Sequence, residues 1–268
     1  MRRLNIRARK GLGQHFLIDE HALSEMIAAA ELAPGDAVIE VGPGLGVLTR
    51  ELAQKAGRVV AVELDDAMAV ALDEKFAGDP DVEIVNADIL QCDPASLVPG
   101  GSPYKMIGAL PYNIASAVLR RFLESHHKPL LMVVVLQREV AQSVAAAPGD
   151  MGLVSVGVQF YGRPSIIGYV SPQGFYPSPK VDSAIVRIDV YPSPPIEVED
   201  EAVFFDVVRG GFAAPRKQLR NSLAMGLSIT SKEADGLLDS AGVDPRRRAE
   251  TLSLQEWRAV YRAFIRKR

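Results

Sequence analysis

The residues best placed to do chemistry begin at Glu40-Val41-Gly42-Pro43-Gly44-Leu45-Gly46. A β-branched run leads into three glycines at alternate positions. There the backbone can approach a ligand that any side chain would obstruct, and the following helix offers unpaired N–H groups at its start. That is a nucleotide-type site. A dinucleotide fingerprint puts its third glycine at position 47, where this chain has Val47, so the loop reads against NAD. Glu63, closing the next β-branched run, is placed to accept both hydroxyls of a ribose. Asp88, in Asn86-Ala87-Asp88-Ile89 after the third run, is placed to accept from an exocyclic adenine amine. The plainer alternatives are a solvated strand-end acid for Glu63 and a turn or helix cap for Asp88.

Those side chains need strands that end where they stand. Ala37–Val41, Val59–Glu63, Val82–Val85, Tyr104–Gly108 and Leu130–Leu136 read as buried parallel strands separated by helical patterns, the rhythm of a doubly wound sheet. Ser155–Tyr161 and Ser183–Val190 follow without a convincing helix between them and predict an antiparallel end. Tyr191-Pro192-Ser193-Pro194-Pro195 cannot continue a central strand and marks a linker. Beyond it, Ala202–Phe212, Lys217–Met225, Lys232–Ser240 and Leu254–Ile265 carry helical apolar spacing. Ser231 and Ser253 read as N-caps, and only Ser253, with Glu256 three residues on, completes a capping box. The expected fold is α/β: a Rossmann-like class I methyltransferase sheet, mostly parallel with an antiparallel end, over residues 1–192, and a small all-α domain over 193–268. On such a sheet, Val47 in place of the third dinucleotide glycine points away from NAD and toward the methyltransferase version of the loop, with S-adenosylmethionine as the expected cofactor.

Composition limits the remaining choices. The 268 residues are 48% apolar and 24% charged, an ordinary soluble balance able to bury a substantial core. Cys92 is the only cysteine, and His15, His21, His126 and His127 show no ligand spacing, so neither a disulfide nor a metal site is expected and a reducing, cytoplasmic setting fits. The longest strongly apolar run, Leu130–Leu136, is too short to cross a bilayer, so no membrane role is expected. Gly152-Leu153-Val154-Ser155-Val156-Gly157 has the wrong spacing for a nucleophile elbow, which disfavours a serine hydrolase. The net charge of −3 hides an asymmetry: residues 1–19 carry five Lys/Arg against one acid, residues 20–200 carry 12 against 24, and residues 201–268 carry 13 against eight. Basic ends around an acidic middle suit a polyanionic partner, since each neutralised phosphate releases counterions.

After the fourth strand stands Gly108-Ala109-Leu110-Pro111-Tyr112-Asn113-Ile114. With Gly13-Gln14-His15-Phe16-Leu17, Gln137-Arg138-Glu139-Val140-Ala141, Phe175-Tyr176-Pro177-Ser178-Pro179-Lys180-Val181-Asp182-Ser183, Arg216-Lys217-Gln218-Leu219-Arg220-Asn221-Ser222 and Arg248-Ala249-Glu250-Thr251-Leu252-Ser253, it resembles the small-subunit ribosomal RNA adenine dimethyltransferases of the KsgA type. The resemblance runs over nearly the whole chain. It implies S-adenosylmethionine-dependent dimethylation of the N6 amines of two adjacent adenosines near the 3′ end of 16S rRNA, a role in small-subunit biogenesis, and the small subunit or its precursor as partner. The oligomeric state is open from the sequence, with a monomer the expectation. It places cofactor contacts on His15, Leu17, Gly42, Gly44, Glu63, Asp88 and Ala109, and substrate contacts on Ala109, Leu110, Pro111, Tyr112 and Phe175. Tyr112 and Phe175 are then the rings on either face of an extruded base. The family often has Asn at position 15.

The adenine amine is a poor nucleophile because its lone pair is conjugated with the ring. Two acceptors aimed at its hydrogens favour a pyramidal nitrogen, and no general base is needed. The resemblance makes one acceptor a backbone carbonyl, that of Leu110, and the other an Asn side chain at the place of Ala109. Alanine cannot accept. Losing one transition-state hydrogen bond costs about 2–4 kcal/mol, so binding with slowed transfer is expected unless water or Asn113 supplies the acceptor. Arg216, Lys217 and Arg220 at helical spacing, and Arg246, Arg247 and Arg248 near a turn, are the RNA-contact candidates; packing over helix ends is the structural alternative. Two other readings stay open: a non-catalytic assembly factor, and a large-subunit rRNA adenine methyltransferase of the antibiotic-resistance type.

Overall fold

The computed structural model describes residues 14–267. Gly13 and the basic residues Arg2, Arg3, Arg7, Arg9 and Lys10 lie outside the described residues. The chain divides into two compact units: the part up to Ala141 with Arg163–Pro192, and Gln142–Gly162 with Ser193–Arg268.

In the first unit, β1 (Phe16–Leu17) and α1 (Glu20–Ala30) precede a βα alternation: β2 (Ala37–Val41), α2 (Val47–Ala53), β3 (Arg58–Glu63), α3 (Asp66–Phe76), β4 (Val82–Asn86), α4 (Pro94–Leu97), β5 (Tyr104–Ala109), α5 (Ala115–Leu123) and β6 (Leu131–Gln137). Helix α6 (Arg138–Val144) follows β6 directly. Asp19 and Asp65 start α1 and α3 by accepting two N–H groups each, which satisfies donors that a helix start leaves orphaned. Strands β2, β3 and β6 are buried almost throughout, as sheet covered on both faces requires.

A seven-stranded sheet has the order β4-β3-β2-β5-β6-β9-β7, where β7 is Gly162–Val170 and β9 is Ser183–Val190. Strands β4, β3, β2, β5 and β6 are parallel, and β9 runs antiparallel to β6 with Gln137 opposite Ser183. The reversal of strand order at β2 and β5 opens a crevice at the carboxyl ends of these neighbours, the place where open α/β sheets bind ligands. A second, two-stranded ladder pairs β1 with β8 (Phe175–Tyr176): Phe16 faces Tyr176 and Leu17 faces Phe175.

The strand expected at Ser155–Tyr161 is instead helix α7 (Leu153–Tyr161). Its alternating Val154, Val156, Val158 and Phe160 mimic a strand, but Ser155, Val156, Val158, Phe160 and Tyr161 are all buried, and burial on several sides erases the periodicity that separates helix from strand. Ser155 Oγ accepts from the Gly152 N–H at 2.8 Å and donates to the Ser143 carbonyl at 2.5 Å, so it is a helix-start residue and not a nucleophile. The outer sheet position falls to β7, whose exposure alternates along its length and whose Pro164 sits where only an edge strand tolerates one.

The second unit contains α7, α8 (Glu201–Gly211), α9 (Leu219–Gly226), α10 (Ser231–Ala241) and α11 (Leu254–Lys267). Phe160, Phe204, Trp257 and Tyr261 fill its core, with Phe160 and Phe204 stacked at 5.0 Å. Gly211 and Gly226 let the helices close: a Cβ on Gly211 would meet the Trp257 ring at 2.2 Å, and one on Gly226 would meet Gly210 Cα at 2.4 Å. Ser253 caps α11 with Glu256 as expected, its N–H donating to Glu256 Oε2 at 2.8 Å. At α10 the cap is Thr230, not Ser231, because Glu233 stands three residues after Thr230 and returns the bond.

Candidate active site

The carboxyl ends of β2, β3 and β5 bring the glycine loop, Glu63 and Ala109 to one cavity, lined also by Gln14, His15, Phe16, Leu110, Pro111, Tyr112, Val135 and Phe175. An adjoining cavity is lined by His15, Leu17, Glu40, Gly42, Gly44, Val47 and Ala109 among others. His15, Phe16, Gly42, Gly44 and Ala109 border both.

Gly42, Gly44 and Gly46 have φ of 69°, 55° and 67°, the left-handed region that L side chains avoid. Space adds a second reason at two of them. A Cβ on Gly44 would lie 2.8 Å from Phe16 Cδ1, and one on Gly46 would lie 2.7 Å from Leu72 Cδ2. Lys75 ties the loop from outside, donating to the carbonyls of Leu45 at 2.8 Å and Gly46 at 3.1 Å.

Glu63 is 5% exposed. Its Oε1 accepts from the Asp65 N–H at 2.9 Å and its Oε2 from the Gly44 N–H at 3.4 Å. Burial raises its carboxyl above the usual range, and those N–H groups oppose the shift. Asp88 stands two residues past Asn86, the β4 partner of Glu63, but lies outside both cavity walls. Its Oδ1 accepts from the Leu90 N–H at 2.9 Å, so the turn-capping role is real whatever else the second oxygen does.

Glu40, quoted within the loop but given no role from the sequence, is a further site residue. It is 1% exposed, and its Oε2 has no hydrogen-bond partner among the described residues. Burial pushes its carboxyl up to about 8; Glu63 adds to the rise, while Thr49 and Lys75 oppose it. The Thr49 hydroxyl lies near enough to favour ionisation, yet it too lacks a hydrogen bond of ordinary geometry. The sequence signal was an acid inside an otherwise apolar strand, where a charge is costly unless partnered.

Of the other residues lining the first cavity, Leu110 and Phe175 are buried and Tyr112 is half-buried. The Tyr112 hydroxyl lies 2.7 Å from Ser183 Oγ, and burial raises its phenol above the usual range. Leu17 is buried opposite Phe175 in the small ladder, an arrangement with no local periodic signal because the partners are 158 residues apart in register. Asn113 is exposed and borders neither cavity.

In the second unit, Arg216 and Lys217 are exposed and stand in the turn before α9, not on the helix. Arg220 approaches Asp235 at 4.0 Å. The other cluster is engaged within the protein: Arg246 pairs with Asp244 at 3.0 Å and Arg248 with Glu250 at 3.5 Å. Arg247 forms a short contact with Glu256, and its guanidinium donates to the Thr251 carbonyl at 2.6 Å. No cluster of three or more metal-ligating side chains occurs among the described residues, and no described helix is long and apolar enough to cross a membrane.

A profile of the family described as Ribosomal RNA adenine dimethylase matches residues 5–265. The chain is 51% identical over 255 residues to Ribosomal RNA small subunit methyltransferase A of Dehalococcoides mccartyi, covering 95% of this chain and 88% of that protein. It is 43% identical over 277 residues to the protein of the same name from Pelotomaculum thermopropionicum, covering 99% and 94%. Among solved structures, the 23S rRNA methyltransferase ErmE is similar with a TM-score of 0.73 at 31% identity, over 92% of this chain and 98% of that one. A dimethyladenosine transferase from Plasmodium falciparum shares the fold with a TM-score of 0.81 at 20% identity, over 94% and 98%.

Proposed function

The chain belongs to the ribosomal RNA adenine dimethylase family, and from that premise we propose how its residues hold a methyl donor and an adenosine together. It is an S-adenosylmethionine-dependent rRNA adenine dimethyltransferase acting on small-subunit rRNA. Its targets are the N6 amines of two adjacent adenosines near the 3′ end of that RNA, and it works as a monomer in the cytoplasm on an assembled precursor subunit. The names of the 51% and 43% identical relatives favour the small subunit over the large-subunit reading that ErmE represents.

One observation carries the site assignment: the left-handed glycine loop, Glu63, the Leu110-Pro111-Tyr112 segment and Phe175 line a single cavity. The donor set suits S-adenosylmethionine, since Gly42 and Gly44 keep side chains away, Glu63 offers a carboxylate for ribose hydroxyls, and Glu40 holds an unpartnered acceptor beside the loop. His15, Leu17 and Ala109 complete that wall, and Asp88 takes the adenine amine. When bound, the cofactor supplies an electrophilic methyl group on a sulfonium.

The protein's part is placement. Tyr112 and Phe175 hold the extruded base, and the Leu110 carbonyl accepts one hydrogen of the amine, turning the nitrogen lone pair toward the donor wall. Ala109 contributes no second acceptor, so transfer is slower than an acceptor at that position would allow. Arg216, Lys217 and Arg220 contact RNA phosphates, and Arg246 and Arg248 join them by exchanging their intramolecular partners. Arg247, expected beside them, is held by Glu256 and Thr251 and supports the fold. Incubating the chain with undermethylated small subunits and S-adenosylmethionine, then quantifying dimethyladenosine by mass spectrometry, tests the reading. Calorimetry separates it from a non-catalytic assembly factor, which would bind the cofactor weakly or not at all.

A further inference from the structure

His15 faces the acceptor as well as the donor. Its ring stacks on Tyr112 with centroids 5.6 Å apart and planes 24° from parallel. Its Nδ1 lies 2.6 Å from the Pro177 carbonyl oxygen, and because a carbonyl only accepts, Nδ1 carries the proton. The next residue, Phe16, pairs with Tyr176 and packs its ring where a Cβ on Gly44 would stand. Consecutive side chains therefore touch the acceptor ring and the donor loop.

Tyr112 follows a proline in a turn and is tethered at its hydroxyl by Ser183. Held at Cβ and at its hydroxyl, the ring can still turn about the axis that joins them, which changes the direction its faces point. With His15 over one face, only the opposite face is offered to a base. Transfer in line with a methyl group tolerates little error, and a misplacement of about 1 Å can cost about a hundredfold in rate.

We propose that His15 is a positioning residue for the acceptor adenosine: its imidazole covers one face of Tyr112 and, through Pro177, ties that ring to the loop following Phe175. The proposal rests on the methyl-transfer reading above and deepens it by assigning His15 a task on the substrate side.

Full-length His15→Ser and His15→Phe variants test it. Calorimetry gives the S-adenosylmethionine Kd, assays on small subunits give kcat and KM, and fluorine NMR of 3-fluorotyrosine-labelled protein reports on Tyr112, whose line Tyr112→Phe assigns. Both variants lose the same imidazole from the donor wall and should shift the cofactor Kd alike, while at saturating cofactor only His15→Ser loses about tenfold in kcat, the scale of one aromatic pair. The Tyr112 line should broaden or split in His15→Ser. His15→Phe, which restores a stacking face, should recover a single line and most of kcat. The proposal is overturned if His15→Ser leaves the Tyr112 line and kcat as in the parent, or if kcat at saturating cofactor falls alike in both variants. Should the parent chain transfer no methyl to small subunits, the functional reading fails, and the fluorine line still decides whether His15 holds Tyr112.

Discussion

The Gly44 N–H donates to Glu63 Oε2, joining the glycine loop of β2 to the carboxylate that ends β3. The two parts assigned to the methyl donor are thus one hydrogen-bonded unit, and disturbing either disturbs both.

Glu63→Ala should weaken S-adenosylmethionine binding by roughly 1.5–3 kcal/mol, the range for a hydrogen bond to a charged group, or about 10- to 150-fold in Kd. Calorimetry measures it. A Kd within twofold of the parent would place the ribose elsewhere.

Gly44→Ala combines a left-handed φ of 55° with a Cβ 2.8 Å from the Phe16 ring. It should cost about 1–3 kcal/mol of stability from backbone strain and lose cofactor binding as well. Thermal unfolding with and without S-adenosylmethionine separates the effects: the parent gains Tm with ligand, and the variant should gain little.

Glu40 gives a pH signature. Its folded value of about 8 lies above the ordinary carboxylate value of 4.5, so the folded chain binds more protons than the unfolded chain between those limits. The stability from the buried neutral acid is complete below about pH 4.5 and is lost as pH rises through about 8. Glu40→Gln, neutral throughout, should match the parent near pH 5 and exceed it in Tm near pH 9. A constant Tm difference across that range would rule out titration of Glu40.

The two arginine groups of the second unit should behave differently. Arg216 and Lys217 are exposed and form no ion pair among the described residues, so their alanine variants should weaken RNA binding and flatten its salt dependence with Tm unchanged. Arg247→Ala should lower Tm, by about 1–3 kcal/mol of stability, since it strips partners from Glu256 and the Thr251 carbonyl. Its loss also removes the main reason the Glu256 carboxyl sits at about 2.

What the sequence disclosed follows from the range of the forces involved. Strands β2 to β6 were legible because each is a short apolar run closed by a turn, and the glycine loop and Glu63 are local to strand ends. The helix at Leu153–Tyr161 was misread because burial on several sides removed its periodicity. The pairing of Phe16–Leu17 with Phe175–Tyr176 is set by tertiary closure, which leaves no mark in either segment. Arg247 looked like a free cation because its partner Glu256 stands nine residues away and reaches it only through the capping turn at Ser253. Ala109 was visible at once, because it stands inside a local motif whose other residues are intact.

The most direct test of the account is dimethyladenosine formation on undermethylated small subunits by the parent chain beside Ala109→Asn. The account predicts dimethylation by both, faster by about 30- to 1,000-fold in the variant, the value of one transition-state hydrogen bond of about 2–4 kcal/mol. A chain that binds S-adenosylmethionine normally but leaves the adenosines unmethylated, with or without the asparagine, would contradict it.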